Sequence, residues 1–256
     1  MSLRKCCFGI MAFLTLGFCL KYYFGGQIPI ELNSMKGQEM MDEDEFWRHM
    51  SNVGRLSEEA YEAGAVDLPK YLEFLGGLSS DEQEEYGFLL EIHNIDDSRL
   101  TRLQQQALFV EMVYSLRNEE VCQFASRWID LERKLYTANV LGACDLWIVT
   151  ISDRVFEEFR GWIVLQGKDV YSGVQKDADS LASLLNDRVK YPDPCGDWVG
   201  RVPFIAYEYR SGGEEIPGKY LPTDMDSDKI EERIPYTQFS EVYPALWALY
   251  GAQWDD

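Results

Sequence analysis

Residues 153–171, DRVFEEFRGWIVLQGKDVY, decide how the rest of the chain is read. Phe156, Phe159, Trp162 and Ile163 recur at intervals of three and four with Gln166 continuing the line, which is the period of a helix with one apolar stripe. Ser152 stands where an N-cap hydroxyl is needed, and Asp153 falls in the first turn, where the positive end of the helix dipole favours a carboxylate. Gly167 ends the run and Lys168 opens a second short segment. Arg160 lies on the flank of the stripe. A guanidinium there is partly desolvated and needs a carboxylate or a carbonyl. Glu157, Asp145 or a carboxylate of the first helix could supply it, and the expected role is a bidentate staple between helices.

Working outward, the same period and its punctuation recur. Asp42 with Glu45 makes a capping-box-like start, and Phe46, Trp47, Met50 and Val53 carry a first helix to about Leu56. Pro69 and Gly76 bracket a second helix, and Ser79-Ser80-Asp81-Glu82 caps a third that reaches about His93. Helices follow at about 99–116 and from Asn118 to about Thr137. Leu72, Leu75, Leu78, Asp81, Glu82 and Tyr86 recur 38 residues later as Val110, Val113, Leu116, Glu119, Glu120 and Phe124, the pattern of a duplicated helical hairpin. The apolar run LGACDLWIVTI, 141–151, sits between helices and reads as a buried helix ending in a turn. Asp179-Ser180 starts a short helix. Val202, Ile205, Ala206 and Tyr209 mark another that stops at Gly212-Gly213, and Pro244 opens a last one, PALWALY. The expected fold is all-α: one compact multi-helix domain over residues 41–252.

The N-terminus reads differently. Cys6 to Leu20 is uncharged and apolar behind Arg4 and Lys5, and residues 1–24 could form an uncleaved membrane anchor if Lys21 snorkels. The alternative is a mis-assigned start, with translation beginning at Met40 or Met41; residues 25–40 are a linker in either case. The first reading places the domain in the cytoplasm behind one N-terminal helix, the second makes it a soluble cytoplasmic protein.

Charge narrows the partners. The chain carries a formal net charge of -20, and residues 41–256 alone hold 20 cations against 42 anions. Such a surface repels phosphate backbones and anionic lipid, so no nucleic acid is expected, and contact with membrane is confined to residues 6–24. A basic protein would be drawn to it. The six cysteines show no C-x-x-C spacing, and Cys122 and Cys144 fall within apolar helical patterns, which suits a reducing compartment.

Motifs for chemistry are scarce. DMDSD, 224–228, opens like a calcium loop but has Lys229 where the turn glycine belongs and Pro235 where the bidentate glutamate belongs. Gly161 to Lys168 fails as a phosphate loop because Asp169 replaces the hydroxyl residue. His49 and His93 have no partner at metal-ligand spacing, so no metal and no cofactor are expected.

The blocks MDEDEFW (41–47), LGACDL (141–146), SDRVFEEFRGWIVLQGKDVY (152–171), DADSLA (177–182), VPFIAYEY (202–209) and YPALWALYG (243–251) together make the chain resemble a bacterial family of domains of unknown function, the one numbered forty-two forty. The resemblance extends over residues 41–252, departs from the family at Ile151-Ser152-Asp153-Arg154, and implies no activity. Its motif residues here are Phe46, Trp47, Ser152, Asp153, Phe159, Arg160, Trp162, Gly167 and Lys168. The expected function is a non-catalytic protein-interaction module, possible in the form of an immunity-like neutraliser of a basic partner. The alternative is an enzyme of unknown reaction with its site near Trp47, Ser152, Asp153 and Arg160.

Overall fold

A computed structural model describes residues 39–63, 97–148, 152–185, 197–222, 230 and 232–254. The chain divides into two units, Met1–Lys36 and Gly37–Asp256, and the described residues all belong to the second. The helices expected at 69–75 and 79–93, the first copy of the hairpin repeat, the apolar segment 6–24 and DMDSD lie outside them.

The fold is all-α. Ten α-helices are found among the described residues: α1 Glu43–Ala63, α2 Asp97–Ser115, α3 Asn118–Lys134, α4 Ala138–Trp147, α5 Asp153–Leu165, α6 Lys168–Lys176, α7 Leu181–Leu185, α8 Asp197–Ser211, α9 Phe239–Val242 and α10 Pro244–Tyr250. Short 3-10 turns stand at Ala178–Ser180, Gly218–Tyr220, Tyr236–Gln238 and Gly251–Trp254. No described helix is long and apolar enough to cross a membrane.

Local chemistry explains most boundaries. Asp42 Oδ1 accepts the N–H groups of Asp44 and Glu45 at 3.0 and 3.2 Å and starts α1. Glu120 Oε2 accepts the Arg117 N–H at 2.8 Å across the turn into α3. Thr137 Oγ1 caps α4 through Val140 N–H at 3.2 Å, and Pro244 occupies the first position of α10.

α3 lies at the centre. Val121, Phe124, Trp128 and Leu131 recur along it at helical spacing and are all buried. α1 packs on α2 and α3, while α5 and α8 pack on the rest of α3 and on each other. The core is aromatic: Phe46 stacks on Phe124 with centroids 4.7 Å apart, and Phe109 lies 5.2 Å from Trp128. Before α1, Met41 is clamped to α3, its N–H donating to Gln123 O at 3.0 Å and its carbonyl accepting from Arg127 Nε at 2.9 Å.

Candidate functional site

The motif block on α5 is built mainly inward. Ser152 Oγ accepts the Val155 N–H at 3.3 Å, so the hydroxyl is a helix cap, and Asp153 is exposed in the first turn. Phe156, Phe159, Trp162 and Ile163 are buried. Phe159 stacks on Trp162 at 5.9 Å, and Trp147 of α4 closes a three-ring cluster at 5.5 Å from each. Gly167 takes φ +96°, a left-handed conformation open to glycine, and thereby turns the chain from α5 into α6. Lys168 then reaches Asp44 of α1, Nζ to Oδ1 3.0 Å, while the Tyr171 ring packs 5.2 Å from Trp47 and its hydroxyl donates to Leu131 O at 3.1 Å. The QGKDVY end of the block thus holds α1, where Phe46 and Trp47 are both buried.

Arg160 joins α5 to α3 through a carbonyl, one of the two acceptor types expected for it, and not through a bidentate fork to Glu157, Asp145 or α1. Its Nη1 donates to the backbone carbonyl of Glu132 at 3.0 Å, in the last turn of α3, where that oxygen also accepts the Leu135 N–H at 3.1 Å and the negative dipole end favours a cation. Its guanidinium lies between two rings, 4.9 Å from Tyr136 and 5.0 Å from Phe156. Arg210 repeats the arrangement on α2: Nη1 donates to Leu116 O at 2.7 Å, and the Tyr114 ring lies 5.8 Å away. A carbonyl suffices because an oxygen at the end of a helix keeps a lone pair open to a side chain that reaches it. Beside Arg160, α3, α5 and α8 approach closely at two glycines. A Cβ on Gly161 would stand 2.7 Å from Glu132 Oε1, and one on Gly200 would stand 3.2 Å from Trp128 Nε1. Buried N–H groups at Trp128 Nε1, Arg160 Nε and Arg210 Nη2 have no hydrogen-bond partner among the described residues.

The structure brings Trp47, Gly167 and Lys168 to the α1–α6 contact. It sets Arg160 two turns further along α5 than Ser152 and Asp153, a separation of roughly 10 Å at the rise of a helix.

Two carboxylates outside the motif positions hold defined places in the packing. Asp145 on α4 is half-buried; desolvation holds its pKa above the usual aspartate value, and the charge of Arg233 opposes that. Asp179 takes the first N–H groups of α10 from a distance in sequence, Oδ2 from Ala245 at 3.0 Å and Oδ1 from Leu246 at 2.8 Å. Asp145 had a signal in the sequence as the one charge inside LGACDLWIVTI. Asp179 had none, because DADS reads as a local cap, a task that falls to Asp177.

Among the described residues no group of three His, Cys, Asp or Glu side chains could hold a metal ion. Cys122 and Cys144 are buried free thiols. Burial pushes Cys122 up to about 11 and raises Cys144 well above an ordinary thiol, so neither is a ready nucleophile.

Residues 92–209 match the model of a family described as a protein of unknown function, DUF4240. The match takes in LGACDL, the α5–α6 block, DADSLA and VPFIAYEY; α1 and the closing YPALWALYG block fall outside it, so it is narrower than the resemblance over 41–252. No curated protein and no solved structure matches the chain. Over residues 92–209, less than half of its length, the chain is similar to the family of unknown function DUF4240.

Proposed function

We propose that the helical domain is a non-catalytic interaction module that docks a basic protein, as an immunity-like neutraliser would. The excess of 42 anions over 20 cations in residues 41–256 carries this reading. The geometry of the motif supports it. Phe46, Trp47, Phe159 and Trp162 are spent on packing, Ser152 on a cap, Gly167 on a turn, Arg160 on a helix end and Lys168 on an ion pair, which leaves the acidic surface as the part of the molecule free to meet another. The buried thiols fit a domain on the reducing side of any membrane to which residues 6–24 would tether it.

Attraction of this kind weakens with ionic strength because exposed charges are screened beyond roughly 10 Å at 0.1 M salt. Capture of basic proteins from the native host on the immobilised full chain should succeed at low salt and fail as salt is raised. Recovery of no protein at low salt, or retention indifferent to salt, would reject the reading.

A further inference from the structure

We propose that the outer face of α10 docks the apolar side of a basic amphipathic helix; this names the contact for a basic protein and rests on the docking role proposed above. Residues 244–250, PALWALY, carry no charged side chain. Leu246 is buried in the core, and Trp247 and Tyr250 pack half-buried against it, so the inner side of α10 is fixed. Pro244, Ala245, Ala248 and Leu249 are exposed and fall on the opposite arc of the helix at 3.6 residues per turn. A surface helix ordinarily turns polar side chains to water. α6 does so, its exposed residues being Lys168, Asp169, Ser172, Gln175 and Lys176, whereas those of α10 are all apolar. Of the four exposed large hydrophobic side chains among the described residues, Leu249 lies on this face and Tyr236 in the turn that leads into α9. Apolar surface gathered in this way marks an interaction site.

Charge selects the occupant. Residues 230–256 hold five carboxylates, Glu231, Glu232, Glu241, Asp255 and Asp256, against Arg233 alone. Glu241 is exposed in α9, just before α10, and Asp177 is exposed at the start of the 178–180 turn on which α10 packs. An apolar face in acidic surroundings suits a helix that carries leucine-like residues on one side and lysine or arginine beside them. A second copy of this chain would instead bring the same excess of carboxylates against itself.

Two synthetic peptides of equal positive charge test this by fluorescence anisotropy on the full chain at low salt: an amphipathic helix of leucine and lysine, and the same peptide with serine for leucine. The leucine peptide should bind the more tightly. Leu249→Gln should weaken it by about tenfold, the scale of one leucine side chain removed from water, and Ala248→Gln should weaken it too; neither variant changes charge, so binding of the serine peptide should stay as it was. Equal affinity for the two peptides, no binding of either, or variants that bind the leucine peptide as the parent does would overturn the assignment, whereas the docking of a basic protein falls only with the low-salt capture from the host. Sedimentation that shows a dimer of the full chain, dissociated by Leu249→Gln, would also overturn it and give the face to a second copy.

Discussion

The Tyr243 ring occupies the space that a side chain at position 142 would fill, and its hydroxyl donates to Asn139 O at 2.7 Å one turn earlier on α4. Gly142 is therefore a docking surface for a ring, and alanine there would push the phenol off its carbonyl. Overpacking a buried site costs about 1–3 kcal/mol, and alanine returns about 1 kcal/mol in helix propensity. So close an approach belongs to the upper half of that range, so Gly142→Ala should lose about 1–2 kcal/mol net in urea denaturation. An unchanged midpoint would mean that the ring yields without cost.

Asp145 should act against stability at neutral pH. Desolvation raises its pKa in the folded state, so the protonated form is favoured by folding, and that stabilisation is complete below the unfolded pKa and lost as pH rises through the folded one. Asp145→Asn should consequently melt higher than the parent at pH 7, and the gap should close as pH falls towards the ordinary aspartate range. A variant that melts lower at pH 7 would show that Asp145 forms a stabilising pair with Arg233.

Thiol chemistry offers an independent check on the interior. With Cys122 and Cys144 buried and their pKa values raised, iodoacetamide at pH 8 should leave both unmodified in the native protein and alkylate both in urea, as mapped by peptide mass spectrometry. Native alkylation of Cys122 would show that the packing against Ile216 and Tyr220 opens readily.

Helix starts governed by local chemistry were legible in the sequence. Asp42, Ser152 and Pro244 open α1, α5 and α10 as expected, because a cap or a proline acts within one turn. The stop at Gly167 was legible too, since a left-handed φ favours glycine. α8 was only half read. The apolar period marked it only from Val202, yet the helix begins at Asp197 and carries Pro203 inside. Packing against α3 and α5 outweighs the lost N–H, and packing is not visible along one strand of sequence. α1 likewise runs on to Ala63, past the expected end near Leu56. The tasks of Ser152, Gly167 and the apolar stripe were found with the residues, but two partners were not: which acceptor Arg160 takes, and that Asp179 serves α10, depend on contacts 28 and 66 or more residues apart.

The central claim is that the Phe-Arg-x-Trp block is architecture, and Arg160→Lys tests it most directly. Lysine keeps the charge near the end of α3 but cannot lie as a planar fork between Tyr136 and Phe156 while donating to Glu132 O. Thermal unfolding should show the variant melting lower by roughly 2–4 °C, the shift that about 1 kcal/mol produces in a domain of this size. A melting curve identical to that of the parent, together with weaker capture of a basic protein at low salt, would contradict the claim and make Arg160 a contact for a partner.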